Sequence, residues 1–280
     1  MKLHWWKFGI IATLTAWLYL PIVSRLVQQW VSDSNYSHGF LVPVFSAFVL
    51  WNQRSRLTAG KSQPSTWGLL ILILGTGLLV IGILGAELFL QRFSLLVWIA
   101  GLVVFFFGWQ HFRAVLFPWA FLILMLPIPA IVFSRISMPL QILASKMAAT
   151  FLPFVGVPVL REGNIINLPA MPLEVAEACS GIRSLFSLVT IALIYGFVAE
   201  KRRWVRILLA LASVPVAVLA NSLRIVGTGM IAEYWNSSKA EGFFHIISGW
   251  IVFVMCVVLL FSLHWLIGTW RRREVRCGGL

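Results

Sequence analysis

Acid is scarce in this 280-residue chain, which sets nine Asp and Glu against 22 Lys and Arg and has Asp33 as its only aspartate. Glu87, Glu162, Glu174 and Glu177 lie scattered between apolar runs, so the carboxylate-held cation that a metal-dependent glycosyltransferase needs is thinly supplied. The pattern H-E-x-x-H is absent, which removes the usual zinc-protease chemistry. Cysteine is as sparse: Cys179, Cys256 and Cys277 form no C-x-x-C pair, so neither a disulfide framework nor a thiolate metal site is expected. There is no internal repeat and no low-complexity linker, and nothing in the sequence calls for a cofactor.

What is there in quantity is hydrocarbon. Hydrophobic residues make up 60% of the chain and charged ones 11%, with apolar runs too long for a soluble core. A helix needs roughly 20 apolar residues to cross a hydrocarbon layer of about 30 Å, and only helices or closed barrels satisfy their backbone polar groups in lipid. The expected fold is all-α, a polytopic membrane helix bundle of about eight spans. They cover Trp5 to Trp30, Phe40 to Asn52, Thr66 to Ala86, Phe93 to Gln110, Ala114 to Phe133, Cys179 to Val198, Ile207 to Trp235 and Phe243 to Trp270. The whole chain, 1–280, reads as a single membrane domain.

Charge orients it. With eight spans, 14 of the 22 Lys and Arg fall on one side, which the positive-inside rule makes cytoplasmic, with both termini inside. The net charge of +13 is thereby explained by topology, and no nucleic-acid partner is expected. Lys2 and Lys7 before the apolar stretch from Phe8 read as an uncleaved first span in a bacterial inner membrane. The opposite, extracytoplasmic face receives the Ser32 to Gly39 loop, the Glu87 to Arg92 turn, the long Ser134 to Ala178 connection and the Asn236 to Gly242 turn. Within the long connection, Ser137 to Phe151 reads as a re-entrant or amphipathic helix and Val157 to Pro172 as a short extended hairpin.

Three residues on that face carry chemistry. Cys179 opens the sixth span, where exposed N–H groups and the positive end of the helix dipole favour thiolate. Taken alone, a small buried hydrophobe is the plainer reading of it. Arg224 lies 18 residues beyond Arg206, about 27 Å along a helix, at the outer edge of the hydrocarbon. A cation there faces the bundle interior or a water-filled cavity, or else snorkels to the headgroups. Asn221, three residues earlier, shares its face. His245 starts the eighth span at the same depth and can move protons near neutral pH, although an interfacial histidine among aromatics is the plainer reading. Arg183, four residues after Cys179, lowers the thiol pKa or binds a carboxylate, or pairs with Glu174 or Glu177. His38, in Tyr36-Ser37-His38-Gly39, offers a second imidazole or sits in a solvated turn.

The segments Leu173-Glu174-Val175-Ala176-Glu177-Ala178-Cys179-Ser180-Gly181-Ile182-Arg183, Asn221-Ser222-Leu223-Arg224-Ile225 and Gly242-Phe243-Phe244-His245 resemble, in order, three motifs of the exosortase/archaeosortase family. Tyr36 to Pro43 resembles that family's amino-terminal motif. The resemblance implies a membrane-embedded cysteine transpeptidase or protease that processes exported proteins bearing a carboxyl-terminal PEP-type signal of short motif, transmembrane helix and basic cluster. It implies Cys179 as acyl-thioester nucleophile with Arg224 and His245 as partners. Arg224 suits charge stabilisation and His245 proton transfer, since a guanidinium with a pKa above about 12 is a poor proton donor. The rival reading is a transporter or flippase for an anionic lipid-linked substrate. It requires a polar path, and spans three to five carry almost no ionisable residues.

Overall fold

Proline divides one apolar run, before Ala130, whereas Pro21, Pro118, Pro139 and Pro215 lie inside helices. The computed structural model describes residues 5–60, 62–175, 181–235 and 243–277, and within them seven helices are long and apolar enough to cross a membrane. With one small sheet besides, the protein is an all-α polytopic membrane protein. It packs as two compact units, Met1–Pro129 and Ala130–Leu280.

The first unit contains α1 (Trp5–Ser32), a 3-10 stretch Ser34–Phe40, α2 (Leu41–Asn52), α3 (Arg54–Ala59), α4 (Trp67–Leu84), α5 (Leu88–Phe107) and α6 (Trp109–Phe121). Glycine lets α4 and α5 close on each other: a Cβ at Gly82 would sit 2.8 Å from the Gln91 nitrogen, the kind of small-residue contact on which membrane helices rely for van der Waals packing. The expected second span is α2, only 12 residues or about 18 Å long, so it falls short of a crossing helix by itself. It packs against α6, with Ser46 Oγ donating to the Pro118 carbonyl at 3.1 Å.

The expected fifth span, Ala114 to Phe133, is divided. Helix α6 stops at Phe121, a 3-10 turn covers Leu122–Met125, and the next helix begins at Ala130. Pro127 and Pro129 lack an N–H and drive the residue before each out of the helical region. The Met125 carbonyl, whose helical donor would have been the nitrogen of Pro129, accepts from Trp30 Nε1 at 3.0 Å instead.

The second unit contains α7 (Ala130–Phe151), β1 (Leu160–Glu162), β2 (Ile165–Asn167), β3 (Pro172–Glu174), α8 (Ile182–Ala199), α9 (Arg203–Tyr234) and α10 (Phe243–Cys277). The helix expected over Ser137 to Phe151 is the later part of α7, which starts earlier and reaches crossing length over Ala130–Val155. The expected hairpin gains a third strand, in the order β1-β2-β3. Helices α8 and α9 are antiparallel: a Cβ on Gly196 would lie 3.4 Å from Arg206 Cα, and Gly181 meets Asn221 at the other end. Val252, Cys256 and Leu260 of α10 share a core with Leu185, Leu188 and Ala192 of α8 and Leu209 and Ala217 of α9. Cys256 is fully buried there, the inert placement its span implied. Helix α7 follows the later half of α9, with Ser222 Oγ 3.5 Å from Met147 Sδ and Tyr234 OH donating to the Val155 carbonyl at 2.9 Å.

Candidate functional site

Residues 176–180, which include Glu177 and Cys179, lie outside the described residues, as does the side chain of His245. The frame that holds them is described. On the upstream side Val175 donates its N–H to the Asn164 carbonyl at 2.9 Å, and its side chain, 1% exposed, belongs to the core that contains Ile225 and Val226 of α9. On the downstream side Gly181 has φ +75°, and a Cβ there would come within 2.8 Å of Asn221 Cβ. Only glycine both adopts that left-handed backbone without strain and lets the start of α8 lie on Asn221. The downstream flank of the Cys179 segment therefore lies on α9 at Asn221, and the upstream flank shares a buried core with Ile225 and Val226 of the same helix.

Arg224 is on this same stretch. Its side chain is half-buried, and its Nη1 lies 3.7 Å from where a Cβ on Gly249 of α10 would stand. His245 precedes Gly249 by four residues in α10, one helical turn on the same face. Asn221, 1% exposed, lies one turn from Arg224 and beneath Gly181. Elements α8, α9 and α10 thus bring the Cys179 flank, Asn221, Arg224 and the His245 turn to one level of the second unit.

Two expectations change. Helix α8 begins at Ile182, not at Cys179, and the left-handed Gly181 interrupts the helical repeat. The four-residue spacing therefore does not place Arg183 one turn from Cys179, and the Arg183 side chain is exposed. The imidazole of His38 is not solvated: it is 7% exposed, with Nε2 3.2 Å from the Leu124 carbonyl. It belongs to the first unit, in the 3-10 stretch that Asp33 caps by accepting from the Asn35 N–H at 2.9 Å.

Burial pushes the pKa of His38 down, against smaller opposing effects of its contacts with Leu124 and Asn35. A histidine whose folded pKa is depressed binds fewer protons in the native state, so its contribution is whole above the ordinary value of about 6.5 and is lost as pH falls through and below it. The purified protein should therefore lose thermal stability as pH falls from above to below about 6.5, and His38→Gln should flatten that part of the profile. A difference scan of the two proteins in one detergent measures it, and equal slopes would remove the burial argument.

Three features are not visible in the sequence pattern. Gly181 carries the close approach to Asn221, and its signal was only adjacency to Cys179. Arg92, expected in a turn, stands near the start of α5 and is 4% exposed, with Glu87 and Tyr36 as its electrostatic neighbours. At the far end of the second unit Tyr195 OH and His264 Nδ1 are 2.7 Å apart and His264 Nε2 and Glu200 Oε2 3.5 Å. That chain of polar groups fastens α10 to the α8–α9 junction.

These apolar helices define a polytopic membrane protein, in which α8, α9 and α10 carry the Cys179 flank, Arg224 and the His245 turn. The family of transmembrane exosortases matches residues 30–262, and the chain belongs to it. The family is one of membrane transpeptidases that act on exported proteins carrying sorting signals. No curated protein and no solved structure matches the chain.

Proposed function

We propose that the protein is a cysteine transpeptidase or protease of PEP-type carboxyl-terminal sorting signals, with Cys179, Arg224 and His245 as its catalytic set. It spans the bacterial inner membrane with the carboxyl terminus cytoplasmic and the site facing outward, a reading supported by the Lys201, Arg202, Arg203 and Arg206 cluster at the α8–α9 junction, at the opposite end of these helices from the site. One observation carries the reading: the Cys179 segment is flanked by Gly181, which lies on Asn221 of α9, and by Val175, which shares a core with Ile225 and Val226, while Arg224 from that stretch reaches α10 one turn from His245.

In the reaction the Cys179 sulfur attacks the scissile carbonyl carbon, and the carbonyl π electrons move onto oxygen. Arg224 stabilises the oxyanion by charge-assisted hydrogen bonding. His245 takes the thiol proton and delivers it to the leaving amine, whose departure closes the thioester. An acceptor amine, or water, then attacks the thioester carbonyl and gives up a proton to His245, which passes it to the departing sulfur and restores the thiol. Asn221 supports the turn before Arg224. Glu177 and Arg183 flank the nucleophile as substrate-facing charges, and His38 holds the amino-terminal motif in place.

The test is to trap the acyl-enzyme. When membranes that hold the full chain and a precursor with such a signal are quenched in acid, mass spectrometry should find the substrate's upstream fragment on the Cys179 peptide. Neutral hydroxylamine should release it, as befits a thioester. A fragment attached elsewhere, or none while processing continues, defeats the assignment.

A further inference from the structure

The outer edge of β3 pairs with no other strand among the described residues, and β3 leads on into the Cys179 segment. Its ladder is bracketed by two hydrogen bonds: Leu168 N–H to the Met171 carbonyl at 3.2 Å, and Val175 N–H to the Asn164 carbonyl at 2.9 Å. Between them the register pairs Asn167 with Pro172, Ile166 with Leu173 and Ile165 with Glu174. Hydrogen-bonded and non-hydrogen-bonded pairs alternate in an antiparallel ladder, so Leu173 turns its N–H and C=O toward β2. Pro172 and Glu174 turn theirs away.

No other strand among the described residues pairs with that side of β3, and the side chains of Pro172 and Glu174 are exposed. Ile166, fully buried, and Leu173 face the core and hold the sheet on α7 and α9. An edge strand with free N–H and C=O groups is a template for another extended chain. The edge of β1 is exposed as well, but β1 is preceded by α7 and a 3-10 turn over Leu152–Val155, whereas β3 passes directly through Val175 to residues 176–180.

We propose that the extended recognition segment of the exported substrate adds to the outer edge of β3 as a fourth strand. The Glu174 N–H donates to a substrate carbonyl, and the Glu174 and Pro172 carbonyls accept substrate N–H groups. This rests on the transpeptidase reading of Cys179 and adds how that site receives its peptide. Recognition through main-chain groups tolerates varied side chains in the substrate. Because β3 continues toward Cys179, it also sets the register of the scissile bond against the sulfur.

The position allows a clean test, because the Glu174 N–H takes no part in the ladder to β2. Proline at 174 removes the outward donor and leaves the sheet's internal bonds in place, as edge positions permit; Glu174→Ala removes only the side chain. In cells that co-express the full chain and a precursor with a PEP-type carboxyl-terminal signal, pulse-chase should show Glu174→Pro slowed about tenfold, the loss of one net hydrogen bond. Glu174→Ala should stay within about threefold of wild type, the range of an exposed substitution. A second measurement does not depend on the proline variant folding: a photoreactive benzoylphenylalanine at position 174, in the chain that also carries Cys179→Ala, should cross-link to intact precursor. Wild-type rates in Glu174→Pro, equal losses in Glu174→Pro and Glu174→Ala, or no precursor cross-link would each overturn strand addition. Normal processing by Cys179→Ala alone would instead overturn the transpeptidase reading, so the two failures are told apart.

Discussion

Cells whose chromosomal copy carries Cys179→Ala should accumulate full-length precursor, with processing down by at least about three orders of magnitude, because the proposed covalent route then lacks its nucleophile. Cys179→Ser gives nearly the same result. A serine hydroxyl ionises far above the thiol's range of about 8.5, so the imidazole proposed to take the thiol proton is a much weaker match for it. The serine variant separates chemistry from architecture, since it nearly preserves volume next to a turn in which a Cβ at Gly181 would already meet Asn221 at 2.8 Å. Both variants should reach the membrane at wild-type level, and precursor should co-purify with them, because binding survives the loss of the sulfur. Immunoblots of precursor and mature product provide the measurement. An alanine variant that processes at more than about a few per cent of the wild-type rate would show that Cys179 is not the attacking group.

The same residues explain why part of the site was legible in the sequence and part was not. Depth is one-dimensional in a membrane helix: Arg224 could be placed from its 18-residue distance to Arg206, since each residue advances a helix by about 1.5 Å. Helix α9 runs unbroken through both residues, as that count requires. Direction was harder. Whether Arg224 faces lipid or a neighbour depends on a tertiary contact, and its approach to Gly249 has no meaning until α9 and α10 are packed. The start of α8 was misjudged for a local reason, since the apolar pattern continues through Ala178 and Ile182 while the backbone at Gly181 is left-handed. The division of the expected fifth span was visible in principle. Leu126-Pro127-Ile128-Pro129 removes two helical donors within four residues, but hydropathy, which scores all four as tolerable, hides it. Crossing length in α7 is a similar case, because Arg135 and Lys146 lowered its hydropathy without shortening its helix.

Arg224→Gln should lower the rate of processing by about 10² to 10³, the usual consequence of removing one donor from a developing oxyanion. The loss should fall on kcat with little change in KM, because the charge it answers exists only in the transition state. Arg224→Lys restores the cation but not the planar pair of N–H groups, so it should recover part of the rate and not all of it. Gly249 gives an independent route to the same residue. A Cβ at position 249 would stand 3.7 Å from Nη1, so alanine fits at ordinary contact distance and should be nearly silent, whereas Gly249→Leu should displace the guanidinium and reproduce the kcat loss of Arg224→Gln. The pH profile then decides between stabiliser and acid. A guanidinium does not titrate below about pH 12, so if Arg224 only stabilises charge, the Lys variant keeps the wild-type shape at a lower height. If Arg224 instead supplied the proton, lysine, with an ordinary pKa of about 10.4, would bring a new alkaline limb down into the measurable range. A profile with that limb would exchange the roles assigned to Arg224 and His245, while unaltered rates in both Arg224→Gln and Gly249→Leu would take Arg224 out of the reaction altogether.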